Sequence, residues 1–326
     1  MGSSFCRLHV KYPCLPELDL RLGGVYMGVK EVKYVEYIKS RFPQIYISKI
    51  EYNLNDGRHC DVVIINDEHV FKFAKHDWSV AFLENEVQIV DFISSYVDIP
   101  LPKFERLDKG IAKCNFIKGL PLFRNKLLML GNRAQEGIAE QIGTFLRQLH
   151  SIPIRKIKDN KIAEFSGYLT REEWLSEYEE IQRKVFPYCT SYSKEYINQI
   201  FKPMLDDENF LDFQPVLIHG DPAPYHFFLD KGSNRINGVI DFGLAGTGDP
   251  AYDVGIILDN LGEAFVKRMS RYYGKISTFI DRARFYAYVN NFRWAKMLSD
   301  MITTRDLTHL QFYAKDRDIM PIGSGW

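Results

Sequence analysis

The sequence predicts an α+β fold of two lobes, a small antiparallel sheet followed by a larger, mainly helical part. Three observations predict it. Residues 45–73 read as β-rich runs separated by turn residues, an amphipathic helical stretch follows directly, and the second half interleaves long helical periodicities with very short strands. A chain of 326 residues buries a substantial core and suits one large or two moderate domains.

Taken in order, residues 1–22, broken by Pro13 and Pro16, form an extension with no assignable role. The small lobe is expected over 23–113. Its strands fall at 45–54, Cys60–Ile65 and 70–73, with turns at Asn55-Asp56-Gly57 and Asn66-Asp67-Glu68. Asp-Gly between β-rich runs is a strong hairpin signal. A helix over 79–93 follows, capped by Ser79, with Phe82, Leu83, Ile89, Val90 and Ile93 at helical spacing. Pro100 and Pro102 end that region, and 111–119 supplies a further strand and the linker, placed at 114–120.

The helical lobe is expected over 121–326. After Gly131-Asn132, one apolar face is formed by Ile138, Ile142, Phe145, Leu146 and Leu149, ending near His150 and Pro153. Thr170 and Glu173 make a capping box that opens a helix burying Trp174, Tyr178, Ile181 and Val185, closed by Pro187. Short strands follow at Val216–Ile218, Phe227–Leu229 and 236–240, the last two joined by a polar turn at 231–234. Helices at about 263–273 and 281–301 complete the chain, with Trp294, like Trp174 and Tyr178, read as core.

Composition narrows the function. Lys plus Arg equal Asp plus Glu at 42 each, so no global charge points to nucleic acid or to a membrane surface. Cys6, Cys14, Cys60, Cys114 and Cys189 are odd in number and contain no C-x-x-C pair, which suggests neither a disulfide framework nor a zinc site. Cys6 stands where an N-myristoylation signal needs Ser or Thr, and no apolar run is long enough for a signal peptide or a membrane span. A cytoplasmic protein is expected, and nothing in the sequence sets its oligomeric state.

The chemistry concentrates between residues 219 and 253. His219-Gly220-Asp221 follows an apolar strand, His226 stands five residues after Asp221, and Asp241-Phe242-Gly243 closes the next strand. Protein kinases write the same core as H-R-D, an Asn five residues after the Asp, and D-F-G. Phosphoryl transfer needs a held nucleotide, neutralised phosphate charge and an oriented hydroxyl nucleophile. Asp221 is the expected base that accepts the hydroxyl proton, and Asp241 the expected carboxylate ligand of a Mg²⁺ bridging the phosphates.

Lys72, in Val70-Phe71-Lys72-Phe73, projects opposite its apolar neighbours and toward nucleotide phosphates. At about 100° per residue, Glu86 falls amid the apolar face of the following helix while Glu84 points the other way. A carboxylate on an apolar face wants a cation, so Lys72 is paired with Glu86 and Glu84 is read as solvated. The purine of ATP or GTP is expected against backbone groups of Cys114, Asn115, Phe116 and Ile117.

Three segments carry a family resemblance: Leu217-Ile218-His219-Gly220-Asp221, Gly238-Val239-Ile240-Asp241-Phe242-Gly243 and Gly248-Asp249-Pro250-Ala251-Tyr252-Asp253. They resemble the aminoglycoside phosphotransferase family, and the linker 116–122 and the helix stretch 145–150 are similar to it as well. The resemblance covers all but the first forty or so residues. It implies a bilobal protein-kinase-like fold, with ATP or GTP and Mg²⁺ between the lobes and a sugar hydroxyl as acceptor. Most members have Asn at the position of His226, whereas the branch similar to aminoglycoside 2''-phosphotransferases commonly has His. It also implies that Asp253 braces the catalytic loop rather than touching substrate.

His226 has two readings. Either it ligates the second metal through one nitrogen, with Mn²⁺ tolerated beside Mg²⁺, or it hydrogen-bonds the loop, since Mg²⁺ prefers oxygen ligands. A polycationic acceptor would need carboxylates, and Glu173, Glu177 and Glu180 share one helix face, with Asp206, Asp207 and Glu208 as a second cluster. The leading reading is a kinase of an aminoglycoside or similar aminated sugar. A kinase of another hydroxylated metabolite such as an amino alcohol, or a nucleotide-binding regulatory module without turnover, are the alternatives.

Overall fold

The computed structural model describes residues 20–22, 25–54, 58–165, 167, 169–301 and 318–326. Nearly all of the expected extension over 1–22, the Asn55-Asp56-Gly57 turn and the side chain of Trp294 lie outside the described set.

The chain begins with a hairpin of β1 (Leu20–Leu22) and β2 (Val25–Met27), then α1 (Val29–Arg41). A five-stranded antiparallel sheet follows: β3 (Ile50–Asn53), β4 (Cys60–Ile65), β5 (His69–Ala74), β6 (Phe104–Asp108) and β7 (Ile111–Asn115), in the order β3-β4-β5-β7-β6. Between β5 and β6 runs α2 (Asp77–Ile93). Strand alternation decides which side chains go where. Val63, Ile65, Phe71 and Phe73 point to one face and bury against Ile38 and Phe42 at α1, so Lys72 must point to the other.

Two boundaries differ from expectation. Helix α2 begins two residues earlier, with His76 at its N-cap, and Ser79 acts from the third position: its hydroxyl accepts from His76 N–H and donates to the His76 carbonyl. Glu84 is not simply solvated, because Arg106 on the neighbouring β6 reaches it at 2.9 Å. The first expected strand shrinks from ten residues to Ile50–Asn53, and α1 and β6 were not anticipated.

The helical part contains β8 (Leu120–Pro121), α3 (Arg124–Leu128), α4 (Asn132–His150), α5 (Ile154–Asp159), α6 (Arg171–Lys184) and α7 (Ser191–Asp206). Then come the short strands β9 (Val216–Ile218), β10 (Phe227–Leu229), β11 (Ile236–Val239) and β12 (Gly246–Gly248), and the helices α8 (Pro250–Leu261), α9 (Glu263–Met269) and α10 (Ile280–Met301). The capping box at α6 is as read: Thr170 Oγ1 accepts from Glu173 N–H and Glu173 accepts from Thr170 N–H. One core unites α4, α6, α7, α8, α9 and α10 and includes Phe227 and Val239, so the short strands stand on a rigid helical platform.

The strands pair as β11-β10-β8 and β12-β9, and this places three loops side by side: the one after β9, the one after β11, and the chain leaving β7. That last segment must pass close to β10. Gly119 makes this possible, since its φ is 144° and a Cβ there would stand 2.8 Å from the Leu229 carbonyl oxygen. Among the described residues no helix is long and apolar enough to cross a membrane.

Candidate active site

Lys72 and Glu86 meet as their strand and helix positions require. Lys72 Nζ lies 2.7 Å and 2.6 Å from the two Glu86 oxygens; Glu86 is buried and Lys72 largely so. Burial opposes the ammonium, but the Glu86 and Asp241 carboxylates outweigh it and hold Lys72 protonated, above its ordinary range. Lys72 is therefore a fixed positive charge turned toward Asp241. Helix α2 is tied to the Asp241 loop a second time, through Asn85, whose amide donates to the carbonyls of Gly243 at 3.1 Å and Ala245 at 2.8 Å. In the sequence, the only mark of Asn85 is its place beside Glu86.

The catalytic loop leaves β9 at Ile218 and is held from below by Asp253 in the first turn of α8. Its Oδ2 accepts from His219 N–H at 2.8 Å and its Oδ1 from Gly220 N–H at 2.9 Å. His150 Nε2 donates to the same carboxylate at 3.0 Å, and the Tyr273 hydroxyl engages His150 Nδ1. Asp253 thus braces the loop, as expected, while the His150 and Tyr273 relay behind it was not foreseen. Asp249 does similar work one turn earlier: it caps α8 at Ala251 N–H and takes a two-pronged contact from Arg282 at 2.8 Å and 3.1 Å.

Gly220, where protein kinases have Arg, is dictated by space and backbone. Its φ is 81°, and a Cβ would stand 2.5 Å from the Leu244 carbonyl oxygen. His219 next to it is fully buried. Its Nε2 donates to the Ile240 carbonyl and its Nδ1 accepts from Asp221 N–H, which fixes one neutral tautomer, and burial pushes its pKa down to about 4.

Asp221 follows with a third of its side chain exposed. Burial pushes its carboxyl up to about 6; the Asp241 and Asp253 charges add to this and His226 opposes it. A carboxylate with a raised pKa is a better proton acceptor than an ordinary aspartate. His226 connects it to Asp241. Its Nδ1 lies 2.8 Å from the Asp221 backbone carbonyl, and its Nε2 lies 3.3 Å from Asp241 Oδ2. Nδ1–H donates to that carbonyl and leaves Nε2 facing Asp241. Burial opposes the ring's charge, but the Asp241 hydrogen bond and the two carboxylates outweigh it and raise the pKa. Nε2 therefore donates to Asp241 when the ring is protonated and has a lone pair for a metal only when it is neutral.

Asp241 itself has a φ of 71°, the left-handed region that aspartate tolerates better than most residues. Burial disfavours its charge, yet the His226 hydrogen bond and the Lys72 ammonium prevail and hold the carboxyl well below its usual range. Among the described residues no group of three or more His, Cys, Asp or Glu side chains is arranged to hold a metal ion alone. Asp241 and His226 are the pair that would have to hold a cation here, and of the two only Asp241 offers the oxygen that a hard cation prefers.

The expected purine-binding residues sit at the end of β7. Cys114 is buried, pairs across the sheet with Val70 and Phe104, and has its thiol pushed up to about 12 by burial. The Asn115 side chain accepts from Lys103 N–H at 2.7 Å, and Phe116 N–H donates to the Glu68 carbonyl at 2.8 Å. The Phe116 N–H is thus already engaged within the small sheet.

The acidic acceptor candidates are engaged as well. Glu173 closes the α6 capping box, Glu177 meets Lys296 at 2.6 Å and Arg293 at 3.8 Å, Asp206 meets Lys202 at 2.5 Å, and Asp207 accepts from Asn209 N–H. Glu180 shares Lys296 at 2.8 Å. Among the described residues, none of these carboxylates is bonded to the catalytic loop, whereas Lys72, Glu86, Asp221, His226 and Asp241 are drawn together.

A fold of this kind with this site defines a kinase-like phosphotransferase, and comparison with known proteins agrees. The profile of the phosphotransferase enzyme family, designated APH, matches residues 53–288. The chain belongs to that family. An aminoglycoside 3'-phosphotransferase of Escherichia coli is 26% identical over 168 residues, which are 48% of this chain and 56% of that protein. The chain thus spans little more than half the length of the curated relatives it matches. The structure of aminoglycoside 2'-phosphotransferase-IIIa in complex with GDP superposes with a TM-score of 0.76 at 23% identity, covering 87% of this chain and 97% of that one. A macrolide 2'-phosphotransferase from Brachybacterium faecium superposes with a TM-score of 0.62 at 14% identity, covering 86% and 97%. At these identities the structural likeness shows the fold alone.

Proposed function

We propose that this chain transfers the γ-phosphate of ATP or GTP to a hydroxyl of an aminoglycoside or related aminated sugar. The observation that carries the transfer step is the geometry around Asp221: a half-buried carboxylate with a raised pKa, on a loop clamped by Asp253, beside a second carboxylate pair-bonded to His226. Lys72, fixed by Glu86, would hold the nucleotide phosphates, and backbone of the 114–117 segment would meet the purine. Asp241 and His226 would hold Mg²⁺, which when bound neutralises charge on the phosphates. Asp221 accepts the hydroxyl proton and fixes the line of attack.

The aminated-sugar assignment draws on the family and on relatives, one of which forms a complex with GDP and kanamycin. Glu173, Glu177, Asp206 and Asp207 remain the proposed cationic subsites, and Glu177 contributes only if the acceptor's ammonium groups displace Lys296. The test is transfer of labelled γ-phosphate from ATP and from GTP to kanamycin, gentamicin, streptomycin, a macrolide and choline. Phosphorylated kanamycin or a sister compound is expected. Transfer to choline alone would replace the acceptor class, and tight nucleotide binding without transfer to any of the five would replace the enzyme by a regulatory module.

A further inference from the structure

The turn that carries His226 also carries an aromatic side chain that the chemistry above leaves unused. Pro224 and His226 are buried and so is Phe227, but Tyr225 between them is 44% exposed. Its ring stands 4.5 Å from the His226 ring at 78°, an edge-on contact with the imidazole that itself bridges Asp221 and Asp241. The backbone beneath it is fixed by His226 N–H donating to the Ala223 carbonyl and Ile240 N–H donating to the His226 carbonyl. Tyr225 is thus a rigidly mounted, half-open ring at the mouth of the site.

We infer that Tyr225 is the platform on which the acceptor's ring stacks, placing the reacting hydroxyl over Asp221. The acceptor hydroxyl must approach Asp221 from the open side of the catalytic loop, because the other side is filled by Asp253, His150 and Phe145. Tyr225 is the exposed large side chain on that loop. A phenol is neutral below about pH 10, so the ring presents an uncharged, apolar face. A second tyrosine, Tyr252 on α8, also lies within the field of Asp221, but it is held by Asn290 and packs 4.7 Å from Phe165. An acceptor recognised in this way offers a saturated ring with an axial C–H face, which sugars provide and choline does not.

This inference rests on the proposed function, and one experiment separates the two. Tyr225→Ala, Tyr225→Phe and, as a control, Tyr192→Ala, an exposed tyrosine at the opposite end of α7 from Asp206, are assayed with whichever panel sugar the wild type phosphorylates. Tyr225→Ala is expected to raise the acceptor KM by about tenfold, with the nucleotide KM within roughly twofold of wild type. Tyr225→Phe and Tyr192→Ala are expected to keep the wild-type acceptor KM. An unchanged acceptor KM in Tyr225→Ala, a parallel rise in nucleotide KM, or equal impairment in Tyr225→Phe overturns the stacking role while leaving the function standing. Failure of the wild type to phosphorylate any sugar overturns both.

Discussion

His226 Nε2 stands 3.3 Å from Asp241 Oδ2 while its Nδ1 is anchored 2.8 Å from the Asp221 carbonyl, so one ring makes the loop hydrogen bond and turns its other nitrogen toward the Asp241 carboxylate. The loop hydrogen bond fixes the orientation that a ligand would need. His226→Asn should therefore lower the ratio of turnover with Mn²⁺ to turnover with Mg²⁺, by roughly three- to tenfold, because imidazole favours the softer ion. Steady-state rates at saturating concentrations of each metal check this, and an unchanged ratio reduces His226 to a loop brace.

Asp253 serves three donors at once, two backbone N–H groups and His150. Asp253→Ala strands them in a buried setting, which should cost about 3 kcal/mol of stability or more, at roughly 1–3 kcal/mol per orphaned group. Thermal or urea denaturation measures it. Since the groups set free belong to the catalytic loop, kcat should fall further than nucleotide affinity. A variant as stable as wild type would show that the loop is held by something other than Asp253.

Gly220→Ala asks the backbone to keep a φ of 81° with a Cβ 2.5 Å from the Leu244 carbonyl oxygen. The loop has to shift, at a cost on the order of 2 kcal/mol or more. A lowered melting temperature together with lost transfer activity is expected. Full activity at unchanged stability would mean that the loop does not need this conformation.

Much of this site was legible in the sequence because its cues are local. Lys72 was placed by strand alternation and Glu86 by helical angle, and each needs only a few neighbouring residues to be read. Asp221, His226 and Asp241 were read from their spacing and from strand ends. What escaped was either non-local or hidden behind another reading. Lys296, which meets Glu177 and Glu180, lies over a hundred residues beyond them, so the acidic helix face looked free. Helix α8 carried an Asp-Pro start signal at Asp249-Pro250 that had been absorbed into a family motif. Helix α7, with Pro203 inside it, went unread although Ile197, Ile200, Phe201 and Met204 recur at helical spacing, and the exposed ring of Tyr225 had no local pattern to announce it.

The raised pKa of Asp221 gives a signed pH dependence. The base must be ionised, so kcat/KM should fall about tenfold per pH unit below about 6 and level off above it, whereas an ordinary aspartate would hold its rate to near pH 4. Stability runs the other way. The folded state holds this proton more tightly than the unfolded chain, so the group's contribution is present below an unfolded pKa near 3.8 and is lost as pH rises through about 6. Asp221→Asn should accordingly melt higher than wild type at pH 8, with the difference vanishing near pH 4. A flat rate profile between pH 5 and 7 would contradict the shift.

On the proposed function, Asp221 orients and deprotonates the acceptor without holding the nucleotide. Single-turnover transfer to kanamycin, measured beside nucleotide affinity by calorimetry in wild type and Asp221→Asn, separates these two roles. A rate loss of roughly 10²- to 10⁴-fold is expected in the variant, with nucleotide affinity within about threefold of wild type. Transfer at an undiminished rate, or a loss that follows weakened nucleotide binding, would remove Asp221 from the proton transfer.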